Sequence, residues 1–534
     1  MEPAAGIPGG AGALPADAAA PPRRRMGELV AISVFWFAIN FHWSALLLLL
    51  IPAQVYELLF RAAPVGTLAA RADWVDAHKG LTLAVVLAPG LIVALLANPL
   101  FGLLSDRTPG RLGRRRPYIL GGSLLNAVGL GLMAFAPLLA TADGSGNALA
   151  PSLLILMAAL MLTQLANNAA AAPFHALLPD MVAENQRGTA SGIMGMALFL
   201  GQIGGAVVPA FIGFNTSALA SGTQPVSVFE SRIILGYASV AAVVLVMAAL
   251  TALTVHERPW TRPVAPGLAA GSVRAGRALG LTALASLLIV AGPLALAPMG
   301  IGPALDVNTL GVAQLVAVTL AALGAAYAFD FRPRRDPDFS WVVLTRMLVM
   351  MGVYMVQNFL QYYMQDVARS PNPTADTTLF VVILTFTALI ASLIAGPASD
   401  RFGRKRMVYV SGAFMAVVGA AFVLAPYLAP GHVLPIALGA AGVFGLGYGA
   451  YVSVDWALVA DTLPSEKTFA RDMGVWNIGL TIPQVFAAIF GGAALAIGVS
   501  LGQKGLGYTF LFIWFVVFCV LGTVTVRNIK GVKR

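Results

Sequence analysis

Long apolar runs alternate along this chain with short polar connections. Fourteen such runs lie at about 29–51, 81–104, 118–139, 151–175, 190–213, 233–255, 279–298, 310–330, 341–364, 378–397, 407–427, 434–460, 473–497 and 508–526. An α-helix needs about 20 residues to cross roughly 30 Å of hydrocarbon, and most of the runs have that length. In lipid every backbone N–H and C=O must be paired within the protein, so each run is predicted as a membrane helix. The connection Gly102 to Pro117, GLLSDRTPGRLGRRRP, carries Arg107, Arg111, Arg114, Arg115 and Arg116. An arginine at the centre of a membrane helix costs about 2.5 to 3.5 kcal/mol, so this stretch is a tight turn in water between two spans.

A second copy of that turn, Gly396, Ser399, Asp400, Arg401, Gly403, Arg404, Lys405 and Arg406, again separates two apolar runs. The copies follow the second and the tenth run, which predicts two six-helix halves, 29–255 and 341–526. Residues 256–340 are then cytoplasmic linkers around an inserted hairpin, 279–298 and 310–330, giving 14 transmembrane helices in an all-α membrane protein. Residues 1–28 and 527–534 read as cytoplasmic tails. Both ends of the hairpin lie on one side and neither repeat uses it, so the halves are expected to dock without it. In the fifth helix of each half a glycine is followed ten residues on by a glutamine: Gly192 and Gln202, then Gly474 and Gln484. Two such repeats around a central cavity are the architecture of the major facilitator transporters.

Composition narrows the class. Hydrophobic residues make up 58% of the chain and charged ones 10%, which no soluble domain of this size shows. The net charge of +10 would suggest nucleic acid, but the cations sit in clusters between apolar runs. With a cytoplasmic N-terminus, 27 of the 33 lysines and arginines fall on the cytoplasmic side, Arg346 counted among them. Arg61, Arg71, Lys79, Arg232, Arg369 and Lys504 fall on the other. That asymmetry predicts the orientation. The Ala-, Gly- and Pro-rich residues 1–22 lack the apolar core of a signal peptide. The single cysteine, Cys519, excludes an intrachain disulfide and a cysteine metal cluster.

Three motifs carry a more specific resemblance. The first is met by Gly102, Ser105, Asp106, Arg107, Arg111, Gly113, Arg114, Arg115, Arg116 and Pro117. The second, in the fourth helix, is met by Asn167, Asn168, Pro173, Ala176, Leu177, Leu178 and Asp180, and the third by Gly474, Asn477, Pro483 and Gln484. In this order they resemble the plant sucrose transporters and their animal and bacterial relatives, within the glycoside, pentoside, hexuronide and cation symporters of the major facilitator superfamily. The resemblance covers both halves and skips the tail and the inserted hairpin. It implies proton-driven uptake of a sugar. Two departures stand out: His175 occupies the place of a substrate-contacting arginine, and Gln164 that of the carboxylate that carries the proton.

The polar residues within the runs supply candidate chemistry. Gln164, Asn168 and His175 share one helix face, which must look into protein or a wet cavity. They form either a binding surface or a polar seam between helices. Trp36, Asn40 and Trp43, with His42 beside them, place aromatic rings next to an amide, a combination that suits a sugar ring and also ordinary packing. Tyr354, Gln357, Gln361 and Gln365 form a further polar face, and Asn477, Thr481 and Gln484 another. Tyr448, Tyr451 and Asp455 share a face, so Asp455 either carries the proton or forms a structural ion pair. Substrate binding is assigned to Asn40, His42, Trp43, Gln164, Asn168, His175, Gln357, Gln361, Tyr451, Asn477 and Gln484, and proton coupling to Asp455 and His175. Asp106, Arg107, Arg114, Arg115, Arg116, Asp180, Asp400, Arg401 and Arg404 either form a cytoplasmic gate or only set topology. His78 and Lys79 resemble a pair near the outer mouth of the plant proteins and also read as a solvated loop.

The expected function is a proton-coupled sugar or glycoside symporter, sucrose- or maltose-like, working by alternating access. It is expected to be a plasma-membrane monomer with both termini cytoplasmic, with no enzyme activity, cofactor, metal or nucleic acid. An exporter of amphipathic or drug-like compounds is the alternative, and a non-transporting sensor or scaffold the third reading.

Overall fold

The computed structural model describes residues 23–63, 66–108, 112–139, 151–182, 187–257, 307–328, 333–462 and 469–530, with Phe331 and most of 277–289. Among these residues every regular element is helical, and twelve helices are long and apolar enough to cross a membrane. The first half holds α1 (Met26–Ala62), α2 (Leu68–Arg107), α3 (Arg116–Leu139), α4 (Pro151–Met181), α5 (Arg187–Ile212) and α6 (Val226–Thr254). The second holds α7 (Pro337–Asp366), α8 (Pro373–Phe402), α9 (Arg404–Leu428), α10 (Val433–Thr462), α11 (Phe469–Ser500) and α12 (Lys504–Thr525).

The halves repeat one packing scheme. In the first, α1 lies on α5 and α6, α2 on α4, and α3 on α4 and α6. In the second, α7 lies on α11 and α12, α8 on α10, and α9 on α10 and α12. The halves meet along two seams, α2 with α11 and α5 with α8. At the first seam the backbones nearly touch: a Cβ added at Gly492 would stand 2.8 Å from the carbonyl oxygen of Gly80.

Helix α2 begins 13 residues before the apolar run that announced it. Thr67 caps it, its Oγ1 accepting from the Ala70 N–H at 3.2 Å, so Arg71, Asp73, Asp76, His78 and Lys79 ride on the helix. The reading of His78 and Lys79 as a loop is thereby corrected. A second correction concerns Arg346: it is not among the solvated cytoplasmic cations but sits within α7, 5% exposed. The first basic turn is closed by Glu257, whose carboxylate accepts from the backbone N–H groups of Arg114, Arg115 and Arg116 at 2.8–3.2 Å. This places a negative charge on the N-terminus of α3. Gly113 makes the turn with φ of 85°, and a side chain there would collide with Glu257.

Prolines inside these helices leave orphaned carbonyls, because the residue four positions earlier loses its N–H partner. Side chains of other helices fill several of them. Pro137 frees the carbonyl of Met133, which accepts from Gln54 Nε2 at 2.7 Å. Pro426 frees that of Phe422, which accepts from Tyr363 Oη at 3.4 Å. Of the inserted hairpin, one helix is described over Val307–Ala328. Residues described within 277–289 are helical and lie against it, Ser286 Oγ donating to the carbonyl of Ala317 at 3.0 Å. Residues 290–306 of the predicted hairpin lie outside the described residues.

Candidate functional site

The turns place the two ends of the bundle apart: a basic end, with Gly113 and Gly403, and a far end, where α2 starts and α7 stops. Between them lies a cavity with about 650 Å³ of empty space, its open mouth included. Asn40, Trp43, Ser44 and Leu48 of α1 and Gln202 of α5 face it from the first half. From the second come Val353, Val356, Gln357 and Leu360 of α7, Phe380, Val381, Leu384 and Thr385 of α8, and Phe444 and Tyr448 of α10. One tryptophan, three amides, two hydroxyls of small residues and a tyrosine therefore converge among apolar walls.

Of the residues singled out by spacing, Asn40, Trp43, Gln357 and Tyr448 line this cavity. His42 turns the other way. It is fully buried within the first half, 3.3 Å from Asn126 Nδ2, with its Nδ1 unpartnered. Gln164 and Asn168 join α4 to α2: Asn168 donates to the Gln164 carbonyl at 2.8 Å and accepts from Asn98 at 3.1 Å. His175 is exposed, its ring edge-on to Trp36 at 4.9 Å. Gln484 donates to Tyr354 Oη at 2.9 Å. The side chains of Asn477, Asp106, Arg107, Asp180 and Asp400 lie outside the described residues.

The far side of the cavity is closed by contacts between the halves, beginning at an irregularity in α1. Leu46–Leu50 form a π-helical turn, and Pro52, which has no N–H to give, follows it. Gln361, buried on α7, turns its amide nitrogen to the carbonyls of Leu48 at 3.1 Å and Leu49 at 3.3 Å, and accepts from Thr374 at 3.2 Å. Tyr362 Oη donates to the Pro52 carbonyl at 3.1 Å. Beyond them Lys79 of α2, 1% exposed, bonds Asp76 of its own helix at 2.9 Å and Asp366 of α7 at 2.6 Å. Its ammonium lies 4.8 Å from the ring centre of Tyr362 and 5.6 Å from that of Tyr56. Asp366 also accepts from Tyr508 Oη, and Lys504 of α12 bridges Asp73 and Asp76 at 2.9 and 2.8 Å. At the second seam Thr378 Oγ1 donates to the Ala206 carbonyl at 3.1 Å. Thr216 Oγ1 donates to Gln365 Oε1 at 2.9 Å.

Toward the basic end the described polar contacts run within each half. Arg115 donates to Ser105 Oγ at 2.5 Å, Arg116 to the carbonyl of Ala252, and Lys405 to that of Ile529. The Arg401 guanidinium stands 5.4 Å from the ring centre of Phe402. Two turns below the cavity wall, on the faces that carry Val353 and Tyr448, Arg346 of α7 is ion-paired with Asp455 of α10. Both are buried. Tyr451 Oη donates to the same carboxylate at 3.3 Å, and the guanidinium lies on the Trp476 ring, 3.3 Å from its centre. Arg346 Nε has no partner. Sequence reasoning missed Arg346 and the Lys79 bridge. The signal was present, since a charge within an apolar run is expected only where it is paired.

The comparisons with known proteins agree with this arrangement. Residues 342–530 match the family described as Major Facilitator Superfamily, and residues 79–305 the family described as MFS/sugar transport protein. The chain is similar to the general alpha-glucoside permease of Schizosaccharomyces pombe, 27% identical over 34% of this chain and 30% of the permease. It is 28% identical to the sucrose transport protein SUC3 of Arabidopsis thaliana over 24% of this chain and 22% of that one. It is also 28% identical to the multidrug efflux pump LfrA of Mycolicibacterium smegmatis over 30% of this chain and 31% of the pump. The chain thus spans less than a third of the length of each of these relatives. Whole folds compare further. A peptide transporter POT in complex with sulfate superposes over 96% of this chain and 98% of its own, with a TM-score of 0.62 at 14% identity. A D-xylose-proton symporter covers 95% and 99%, with a TM-score of 0.59 at 16% identity.

Proposed function

Because this chain belongs to the major facilitator superfamily, we propose that it is a secondary active transporter that takes up a sugar or glycoside with a proton by alternating access. The observation that carries the substrate class is the cavity between the halves, where Asn40, Gln202, Gln357, Thr385 and Tyr448 surround a space walled by Trp43, Phe380 and Phe444. Amides and hydroxyls that both donate and accept match a neutral solute dense in hydroxyls, and an indole face packs on its C–H surface. The closed far end and the cytoplasmic assignment of the basic turns support reading this as the conformer in which the solute leaves toward the cytoplasm. His175 belongs to the exit side of the same surface.

The coupling reading rests on Asp455. It is held by one arginine and one tyrosine in a membrane-buried position, so its protonation would leave Arg346 uncompensated and shift how α7 and α10 sit below the cavity. Proteoliposome uptake under an imposed pH gradient tests the whole reading: a glucoside or disaccharide should accumulate and should acidify the lumen as it enters. Uptake that is indifferent to the gradient would remove the proton.

The alternative, export of an amphipathic compound, is favoured by the eight aliphatic or phenylalanine side chains in the cavity wall, Val381 among them with Leu48, Val353, Val356, Leu360, Phe380, Leu384 and Phe444. Ligand-induced thermal stabilisation separates the two, because only a compound that binds the folded state raises its apparent stability. Sugars should stabilise at millimolar concentration, and planar hydrophobic cations should not. The proposed location is the plasma membrane, with both termini cytoplasmic and the transporter acting as a monomer.

A further inference from the structure

The described helix of the insertion, Val307–Ala328, lies at the seam between the halves, against α2 of one and α11 of the other. Its buried face is Gln314, Ala317, Val318 and Ala321, at helical spacing, while Val312, Val316 and Leu323 are exposed. Gln314 is the polar member of that face and is 0% exposed. Its Nε2 donates to the carbonyl of Val85 in α2 at 2.8 Å, while its Oε1 has no partner. Val85 stands four residues before Pro89, so its carbonyl is the one that the proline orphans. The insertion therefore supplies a hydrogen bond that α2 cannot make for itself. In hydrocarbon no water replaces such a donor.

The position of this bond gives it a mechanical meaning. Pro89 is followed by Gly90, where α2 packs closely on Leu160 and Gln164 of α4. Two and a half turns away, toward the far end, the same helix carries Lys79 and the Gly80 contact with Gly492. A proline break that lacks its interhelical donor is a hinge between these two parts of α2. We propose that the inserted hairpin is a strut: through Gln314 it holds the Pro89 break of α2, and so favours the conformer in which the far ends of α2 and α11 are closed. The meaning given to far-end opening rests on the alternating-access reading above.

The test is a double-mutant cycle in the full chain, in lipid nanodiscs, with Cys519→Ala and spin labels at Ala70 and Leu501. Both positions are exposed at the far end, one in each half. Gln314→Met keeps the volume and removes the donor, and Pro89→Ala restores the helix's own bond. Gln314→Met should lengthen the far-end distance in a larger share of molecules, shifting the closed-to-open ratio by about threefold, the size of an average interhelical hydrogen bond in a membrane. In the Pro89→Ala background the same substitution should shift it by nothing measurable. An equal shift in both backgrounds, or none in either, overturns the strut. Should Gln314→Met fail to insert, recovery by Pro89→Ala supports the proposal and continued failure refutes it. The distance needs no transport, so a chain that passes this test but moves no solute would sink the transport reading alone.

Discussion

Two of the buried ion pairs among the described residues are built differently. Arg346 and Asp455 belong to the same half, on α7 and α10, with a tyrosine and a tryptophan around them. Lys79 and Asp366 join opposite halves, on α2 and α7, and share Asp76 with the more exposed Lys504. Under the proposed alternating access, a pair within one half would move as a unit as the halves rock, so rocking would not break it; only a change of charge would. A pair across the seam near one end of the bundle is separated by rocking itself, and its members then meet water. The first is suited to sensing a proton and the second to latching a conformation.

The largest effect is expected at the first pair. Asp455→Asn or Arg346→Gln leaves one buried charge or its polar partner uncompensated, and removing one member of a buried pair costs about 3 to 5 kcal/mol. Either variant should unfold in detergent at clearly lower denaturant than the parent. Arg346→Met with Asp455→Leu removes both charges and should recover most of that loss. In proteoliposomes the double variant should still exchange labelled substrate by counterflow but should not concentrate it under a pH gradient. Asp455→Asn at parental stability would mean that water from the cavity already solvates Arg346, and the contrast between the pairs would collapse.

Next comes the latch. Lys79→Met should open the far end at least tenfold, since truncating one partner of a buried interfacial charge pair costs about 2 to 5 kcal/mol. The readout is the rate at which a membrane-impermeant thiol reagent, applied from the far side, modifies a cysteine at Leu360 of the cavity wall in a Cys519→Ala chain. Asp366→Asn should do the same, and the double variant should be no worse than the more affected single one, because both remove one interaction. Independent, additive effects would show that the two residues do not act as a pair.

How much of this could be read beforehand follows from whether the signal is local. The membrane repeat was legible from Gly102 to Pro117 and its second copy, because apolar length and clustered arginines are properties of short stretches. Asn40, Trp43 and Gln357 were legible as cavity candidates because helical spacing fixes which residues share a face. Arg346 escaped because a single charge near the end of a run was grouped with the neighbouring basic connection, and Lys79 because α2 extends 13 residues beyond its apolar run. Pro89 and Pro137 announce two orphaned carbonyls to anyone who counts back four residues. That Gln314 and Gln54 supply the donors is tertiary information, since each glutamine sits on a different helix from the carbonyl it serves. The Phe380 and Phe444 walls were illegible for the same reason.

A moderate effect sharpens the comparison between the cavity's polar and apolar walls. Gln357→Ala or Asn40→Ala should weaken sugar binding about three- to tenfold, the range of a net hydrogen bond, and Phe444→Ala by less. Calorimetry on the purified protein would measure this. The reverse order, with Phe444→Ala the more damaging, would favour the amphipathic solute.

The smallest effect lies at the outer margin of the latch, and it decides whether the latch is a buried pair or a surface network. Lys504 is 42% exposed and Asp73 is 74% exposed, whereas Lys79 is 1% exposed. An exposed pair gains little in water, loses side-chain entropy and is screened by salt beyond about 8 Å at physiological ionic strength. Asp73→Asn should therefore change the far-side modification rate by less than about twofold, and that small change should vanish in molar salt. Lys504→Met should do slightly more, because its second partner, Asp76, is only 14% exposed. The opening caused by Lys79→Met should persist unchanged in the same salt, since a buried pair is barely screened. If Asp73→Asn opened the far end as far as Lys79→Met does, the closure would be spread over the surface charges. The halves would then be held by a salt-sensitive network, and the distinction between a latch and a proton sensor would no longer rest on burial.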